Sequence, residues 1–461
     1  MNSTINWKSL MRFCFVAWCL FNSLGIFAQT AEKSSKPNVI LIYSDDQGWA
    51  DLGIYGSKDI YTPHLDSLAR KGVRFSQFYS ASPVCSPSRA SVLTGRYPQR
   101  AGLATNASSS RGHAGMPGSQ FTMAELFKGA GYKTAHVGKW HVGYSSETVP
   151  NAQGFDHSFG FMGGVIDNYS HFFYWDGPNR HDLWRNGERV YEPGNYFPDL
   201  MLDEASAFMT ENQSDPFFLY FAINIPHYPL QPEKKWLDYY AERNVSSPRN
   251  MYAAFVSTMD EKVGILLQQL EQLGLTENTI IVFQADQGFS EEERTFGGGG
   301  SAGIYRGSKF SLFEGGVRVP AIISGPGGIP QNEVREQFAA NIDWLPTLAE
   351  YCGIDLPNRK IDGKSLKPII NEDSDKPIHE TFYWKSGGSK AAPQWAIRRG
   401  PWKLLHNPVQ ARNEELDTQK LFLVNMDEDP SEQTNLSQSE PDLVEKLKTL
   451  YEQWESEVTT Q

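Results

Sequence analysis

Four short apolar runs, each broken off by polar residues, limit what this chain can fold into more than any other feature. They are "NVILIYSDDQG", "YKTAHVGKWH", "PFFLYFAINIPH" and "NTIIVFQADQG". Each is apolar or β-branched over a strand's length. Helical patterns such as "HLDSLARKG", "TMAELFKGAG" and "MDEKVGILLQQLEQLG" lie between them. The alternation predicts an α/β protein with a large, mostly parallel sheet flanked by helices. In such sheets ligands collect outside the carboxyl ends of the strands. That rule puts Asp45, Asp46, Lys139, His141, His227, Asp286 and Gln287 along one sheet edge. Any one of them alone would read as a turn cap or a residue facing water. Four strands ending alike make coincidence the weaker account.

Asp45 and Asp46 from one strand, Asp286 from another and the amide oxygen of Gln287 are hard oxygen donors, of the kind Ca²⁺ takes at about 2.3–2.6 Å. Without a cation the clustered carboxylates would repel one another, and at least one would stay protonated. Zinc suits the set less well, since it offers no thiolate and no H-E-x-x-H spacing. The Asp pair gains weight from its echo, "SDDQG" against "ADQG".

Cysteine use bears on the compartment. Lys8 and Arg12 precede the apolar stretch from Phe13 to Phe27, and Ala28-Gln29 follows it. Residues 1–28 therefore read as a secretory signal peptide, too short to span a bilayer. Cys14 and Cys19 leave with it, and Trp18 before Cys19 argues against a lipid anchor. The expected protein is exported, periplasmic or secreted, with Cys85 and Cys352 left in an oxidising compartment where pairing is the usual fate. Cys352, in "LAEYCGI", reads instead as a small hydrophobe at a helix end. The formal charge of -12 becomes about -14 once Lys8 and Arg12 are removed. Such a surface does not favour nucleic acid. No later apolar run reaches membrane-spanning length, so no stable membrane insertion is expected.

Cys85 sits in "SASPVCSPSRASVLTGRYPQR". Pro87 and the residues after it suggest a helix with Ser86 as N-cap and Gly95 closing it. Cys85 then lies just before a helix N-terminus, where free N–H groups favour an anion. Arg89 stands about one turn inside.

These residues resemble a known family. "CSPSRASVLTGR" matches the signature C-x-P-S-R followed by T-G-R of the formylglycine-dependent sulfatases, members of the alkaline-phosphatase superfamily. The resemblance runs over nearly the whole chain after residue 28, through "TPHLDSLARKGVRF", "GYKTAHVGKWHVG", "IPHYP", "GSKFSLFEGGVRVP" and "DEDPSEQTNL". The run from Gly298 to Gly303 fits G-x-G-x-x-G only formally; it follows "SEEERTF" rather than a strand and reads as a loop. Gln287 departs from the family, where Asn or His is common, but still offers an amide oxygen. His64 replaces a frequent Asn and has no role assigned.

The resemblance implies an alkaline-phosphatase-like fold and a sulfuric ester hydrolase. It implies that a maturation enzyme converts Cys85 to formylglycine, whose hydrate attacks sulfur with one hydroxyl while the other later expels sulfate. It assigns one Ca²⁺ to Asp45, Asp46, Asp286, Gln287 and position 85. Arg89 and Lys139 would stabilise the diol and the sulfuryl oxygens. His141 would be the base for elimination, and either His227 or Lys309 would protonate the leaving oxygen.

Residues 37–370 are expected to form the large α/β domain. From about Lys376 the pattern changes to short strands, "ETFYWKS", "QWAIRRGPWKLLHN" and "KLFLVNM", then a helix from about Glu440. Residues 376–461 thus read as a small antiparallel sheet with a helix. The insert at 163–190 is dense in aromatics, His and Arg, and His171, Trp175, Arg180 and His181 are candidates for holding an anionic sugar. A sulfated oligo- or polysaccharide is the expected partner: an algal polymer such as ulvan or fucoidan, or a glycosaminoglycan. A phosphomonoester or phosphonate hydrolase of the same superfamily, and a non-catalytic glycan-binding relative, are the competing readings.

Overall fold

In the computed structural model the described residues are 36–175, 178–389, 392–410 and 420–459. The proposed signal peptide lies outside them. Ten strands form the central sheet: β1 (Asn38–Ser44), β2 (Gly72–Phe75), β3 (Lys133–Lys139), β4 (His157–Phe161), β5 (Trp184–Arg185), β6 (Glu188–Arg189), β7 (Phe217–Ala222), β8 (Thr279–Ala285), β9 (Ala321–Ser324) and β10 (Glu333–Arg335). Their order is β10-β2-β9-β8-β1-β7-β3-β4-β5-β6. The centre, from β8 through β1, β7 and β3 to β4, is parallel throughout. Antiparallel pairs flank this centre on both sides, and the edge strand β10 runs parallel to β2.

The four runs singled out in the sequence are β1, β3, β7 and β8, the neighbouring central strands. Their side chains alternate between two apolar layers, as a strand's period of two requires. Val39, Leu41 and Tyr43 pack on one side with Ala90, Val92 and Leu93 of helix α2 (Cys85–Thr94). Ile40 and Ile42 pack on the other with Leu65 and Leu68 of α1 (Pro63–Arg70), and with Met259 and Val263 of α5 (Arg249–Gln272). Helices α3 (Met123–Gly129) and α6 (Trp344–Tyr351) join the first layer, and α4 (Phe197–Glu211) the second. Each fully buried Val, Leu or Ile contributes about 1.5–3 kcal/mol, so both faces must be covered before the polar strand ends can be held in place.

A four-stranded antiparallel sheet follows, β11 (Thr381–Ser389), β12 (Ala392–Arg399), β13 (Trp402–His406) and β14 (Leu421–Asn425). "QWAIRRGPWKLLHN" is two of these strands rather than one. The chain reverses at Gly400, whose φ of 55° is in the left-handed region glycine enters without steric cost. Helix α7 (Pro441–Thr459) buries Val444, Leu447, Tyr451, Trp454 and Val458, a three- and four-residue spacing that makes one apolar face. That face packs on Phe382, Trp384, Ile397 and Leu404, in a cluster that also takes Tyr79 and Phe313 from the main body. Among the described residues no helix is long and apolar enough to cross a membrane. Cys85 and Cys352 are both free and buried.

Candidate active site

The polar ends of β1, β3, β7 and β8 converge at one edge. Asp45 and Asp46 follow β1, Lys139 ends β3 with His141 two residues on, His227 lies beyond β7, and Asp286 and Gln287 follow β8. Asp46 and His141 take φ values of 62° and 56°, unusual for residues with a Cβ. Backbone strain of this kind gathers at sites where the fold dictates side-chain direction. Gly164 allows the His141 ring its place, since a Cβ there would lie 2.9 Å from His141 Cε1.

Helix α2 brings Cys85 to the same point. It begins at Cys85 itself, with Val84 as the N-cap residue, and not after Ser86 as the sequence suggests. The reason is a cap supplied from elsewhere in the chain. Asn106 Oδ1 accepts from the Ser86 N–H at 3.0 Å, and Ser86 Oγ accepts from the Ala107 N–H at 3.0 Å. The loop after residue 104 thereby satisfies the first turn. Gly95 closes the helix with φ 65°. All ten helix residues are buried, Arg89 completely.

Three cations meet three carboxylates. Lys139 Nζ reaches Asp45 Oδ1 and Oδ2 at 2.9 and 2.7 Å. Arg89 Nη2 is 2.8 Å from Asp286 Oδ2 and 3.4 Å from Asp45 Oδ1. Lys309 Nζ is 2.7 Å from Asp46 Oδ2, and His227 Nε2 stands 3.6 Å from the same oxygen. Cys85 Sγ lies 3.8 Å from Asp45 Oδ1 and 4.0 Å from Asp46 Oδ1. Arg89 and Lys139 are thus turned onto the carboxylates. Asp286 spends its other oxygen on the N–H groups of Asp46 and Gln287, at 3.0 and 2.9 Å.

Burial and neighbouring charge set the protonation. Burial raises Asp46 to about 7, with Asp45 and Asp286 adding to the rise against Lys309 and Lys139. Burial likewise raises Asp286 to about 6. For Asp45 the upward push of burial is outweighed by Lys139, His227 and Arg89, and the carboxyl is held well below its usual range. Burial pushes the Cys85 thiol up to about 12, so the sulfur is a neutral thiol. His141 is driven well below 6.5 by burial and then by Lys139 and Arg89, which leaves a neutral ring. His227 is lowered too, chiefly by burial. Burial, the largest single influence, would lower Lys309, but Asp46, Cys85, Tyr228 and Glu292 together outweigh it and hold the ammonium well above its usual range.

The donor set fits a hard cation. Ligand atoms of Asp45, Asp46, Cys85 and His227 all lie within 4.8 Å of one another. Gln287 stands beside them, its Nε2 against Asp46 Oδ1 and 3.7 Å from Cys85 Sγ, while its Oε1 is buried with no hydrogen-bond partner. An orphaned amide oxygen next to crowded carboxylates is what an oxygen-binding cation would relieve. Turning the amide end for end presents that oxygen to the carboxylates.

A cavity of about 260 Å³ opens on this cluster, lined by Cys85, His141, His227 and Lys309 on its inner side. Trp175, Phe173 and Tyr228 form an aromatic wall, with Trp175 and Tyr228 stacked at 5.4 Å. Of the four insert residues proposed from sequence, Trp175 lines the cavity. Arg180 lies behind it, donating to the Ser109 carbonyl at 2.6 Å with its guanidinium over Phe173. His171 is fully buried with Nε2 3.1 Å from the Asn195 carbonyl, and His181 stacks on Tyr191. Neither His171 nor His181 lines the cavity: His181 lies in a short strand, Arg180–His181, that pairs with Phe172–Phe173, and the two imidazole rings pack against each other. Asn106 and Glu292 do line it. Neither stands out in the sequence, although "SEEERTF" begins one residue after "ADQG".

The segment bearing Lys309 is gripped from two sides. Its N–H donates to Phe289 O at 2.8 Å, and that of Phe310 to Pro83 O at 3.0 Å. From the C-terminal sheet, Lys403 Nζ is 2.9 Å from both Glu314 and Glu432, all three fully buried. Glu432 also accepts from the Glu314 N–H at 2.7 Å and from Arg306 at 2.8 Å.

Residues 37–354 match the family model described as Sulfatase, and residues 302–458 match the one described as N-sulphoglucosamine sulphohydrolase, C-terminal. N-acetylgalactosamine-6-sulfatase of Rattus norvegicus is 36% identical over 389 residues, 79% of this chain and 71% of its own. Arylsulfatase A of Homo sapiens is 34% identical over 391 residues, 80% of this chain and 74% of its own. The crystal structure of Ps i-CgsB in complex with k-i-k-neocarrahexaose has a TM-score of 0.82 at 31% identity, covering 91% of this chain and 93% of that one. Likeness on this scale takes in every strand end that builds the site, and the chain belongs to the sulfatase family of sulfuric ester hydrolases.

Proposed function

We propose that this protein is an exported sulfatase that removes sulfate esters from a sulfated carbohydrate, with formylglycine matured from Cys85 and one Ca²⁺. The observation that carries the reading is the position of residue 85. It is the first residue of a buried helix, between the acidic cluster and the cavity, with Lys309 and His141 lining that cavity beside it. A neutral buried thiol is a poor nucleophile, which favours modified over unmodified cysteine. When present, the aldehyde hydrate supplies an oxygen nucleophile, and calcium supplies the charge that acidifies it.

Asp45, Asp46, Asp286 and the Gln287 amide oxygen would hold the calcium. Arg89 and Lys139 hold Asp286 and Asp45 in register, and Lys309 gives the cavity wall its positive charge for the sulfuryl group. His141, neutral and lining the cavity, is placed to accept a proton. The two candidate donors differ. His227 Nδ1 is 2.7 Å from the Tyr228 carbonyl, an acceptor only, so Nδ1 carries the proton of the neutral ring and Nε2 faces the site bare. Lys309 carries its protons into the site. It is the better placed of the two to protonate the leaving oxygen.

The substrate class draws support from the neocarrahexaose bound to Ps i-CgsB and from the N-acetylgalactosamine-6-sulfatase relative. The cavity, of about 260 Å³ with one aromatic wall, suits one sugar residue against an aromatic face. The deciding experiment measures kcat/KM for matched sulfate and phosphate esters, together with sulfated oligosaccharides. Preference for the sulfate supports the proposal. Preference for the phosphate favours a phosphomonoester hydrolase, and binding without turnover a glycan-binding protein.

A further inference from the structure

Two exposed arginines gather on one ring beside the cavity. The guanidinium carbons of Arg111 and Arg189 lie 5.1 and 5.0 Å from the centre of the Trp184 indole. Arg189 stands directly opposite Trp184 in the β5–β6 ladder. Arg111 comes two residues after Ser109, which lines the cavity and whose hydroxyl accepts from the Gly164 N–H at 2.9 Å. The backbone holds this segment against the stretch after His141: the Gly112 N–H donates to Tyr144 O at 2.8 Å, and the Tyr144 N–H to His113 O at 3.1 Å. Arg185, next to Trp184, is paired with Glu204 at 2.8 Å, whereas among the described residues neither Arg111 nor Arg189 makes an ion pair. The fully buried Asp182 attracts Arg189, but its Oδ1 accepts from Tyr144 OH and Trp184 Nε1 at 2.6 and 2.7 Å and its Oδ2 from the Gly163 N–H at 2.8 Å. One negative charge therefore answers two positive ones. On a chain of net charge -12, such a local surplus is what an anionic ligand would neutralise.

We propose that Arg111 and Arg189 hold an anionic group, a sulfate or a carboxylate, on the sugar adjoining the one whose sulfate is cleaved, so that the enzyme prefers a charged chain to a lone sulfated sugar. The inference rests on the sulfated-carbohydrate reading above. A cavity of about 260 Å³ takes one sugar residue, and the next must cross its rim. The loop through Ser108 and Ser109 forms part of that rim and leads straight to Arg111. Guanidinium forks match the paired oxygens of sulfate and carboxylate alike. Two like charges held near one ring repel each other, and an anion beside both relieves the repulsion. Tyr191, 64% exposed, adds an open aromatic face for the sugar, and its hydroxyl accepts from Arg189 Nη1 at 3.4 Å.

The test measures kcat/KM of the full-length matured enzyme on N-acetylgalactosamine 6-sulfate and galactose 4-sulfate as single sugars, on a chondroitin 6-sulfate tetrasaccharide, whose adjoining sugars carry carboxylates, and on an iota-carrageenan tetrasaccharide, whose adjoining sugars carry sulfates. The parent enzyme should favour at least one chain over its matching single sugar by about a hundredfold. A gain on the chondroitin chain supports the proposal with a carboxylate as the group held, and a gain on the carrageenan chain supports it with a sulfate. Arg111→Gln and Arg189→Gln should each cut that gain by about tenfold, in KM and not in kcat, while Arg111→Lys, which keeps the charge, should retain part of it. Added salt should shrink the parent's gain, because exposed charges are screened over about 8 Å at physiological ionic strength. A parent enzyme that treats chains and single sugars alike overturns the proposal and leaves the carbohydrate reading standing. So do variants that lose activity on chain and single sugar in equal proportion, because that pattern belongs to arginines that only steady the rim. Turnover of nitrophenyl sulfate by the parent with none of these sugars accepted overturns the carbohydrate reading, and the proposal with it.

Discussion

Lys309 and Asp46, 263 residues apart in the chain, meet at 2.7 Å and bind the two halves of the site together. Asp46 belongs to the proposed metal-ligand set and Lys309 to the proposed sulfate end of the cavity. In that proposal the contact joins nucleophile activation to departure of the leaving group.

A sugar alkoxide leaves poorly unless protonated, whereas a nitrophenolate leaves without help. Lys309→Ala should lose about 10²–10⁴-fold on a sulfated sugar and far less on nitrophenyl sulfate. His227→Ala should show a smaller contrast between the two, since its Nε2 carries no proton in the neutral ring. His141→Ala should slow both substrates alike and leave sulfate trapped on residue 85, visible in the intact mass. Equal losses on both substrates for Lys309→Ala would assign Lys309 to sulfate binding instead.

Residue 85 can be checked directly. Mass spectrometry of the peptide spanning Cys85 should find formylglycine in active protein, and activity should scale with its fraction. Cys85→Ala should lower turnover by more than about a thousandfold with little change in melting temperature. Full activity from protein whose Cys85 is entirely thiol contradicts the mechanism.

Calcium binding to the folded state should raise stability by RT ln(1 + [Ca²⁺]/Kd), about 2.7 kcal/mol at a hundred times Kd. Chelation should lower the melting temperature and abolish turnover, and Asp286→Asn should weaken both responses. Elemental analysis should return one calcium per chain. Stoichiometric zinc without calcium would count against the oxygen-donor assignment.

How much of this is visible in sequence depends on whether a residue's role is written locally. The strand-end set is legible because a strand's apolar run stops where the polar edge begins, as at Ser44-Asp45 and Ala285-Asp286. The α2 cap is not, because Asn106 supplies it from a loop that shows no helical signal of its own. Lys403 sits in "PWKLLHN" and Glu432 in "DEDPSEQ", where each reads as an ordinary solvated charge. Their burial depends on Glu314, which only the folded chain brings between them. His171 and His181 show the converse, since a composition suited to sugar binding serves internal packing instead.

Away from the site, Glu204 links the sheet edge to α4. It lies 2.7 Å from His157 Nε2 and 2.8 Å from Arg185 Nη2. Burial would raise its carboxyl, but His157 and Arg185 outweigh that and bring it to about 2, below the ordinary 4.5. A depressed carboxyl stabilises the fold above its unfolded value, and that contribution fades as pH falls from about 4.5 toward 2. Glu204→Gln should cost about 1 kcal/mol at pH 7, allowing for solvent screening around the half-exposed Arg185, and progressively less on acidification below pH 4.5. Urea unfolding at several pH values gives both numbers, and a penalty independent of pH would rule out the ion pair as its source.

Lys403→Met should destabilise the protein by about 3–5 kcal/mol, because it leaves Glu314 and Glu432 buried without their shared cation. Partial rescue is expected when Glu432→Gln is added, and denaturation midpoints of the two variants measure it. No rescue would mean that the loss comes from packing and not from stranded charge.

The double grip on the Lys309 segment bears on when the enzyme becomes competent during its own synthesis. Most of the proposed site is encoded by residue 309, yet the segment's second anchor waits for Lys403 and Glu432, so the emerging chain can assemble its sheet and both apolar layers while Lys309 is still held from one side only. Activity then reports on completion of the polypeptide. A chain cut short after β10 is expected to be inert rather than weakly active, which ties the appearance of a reactive site to the arrival of the last strands.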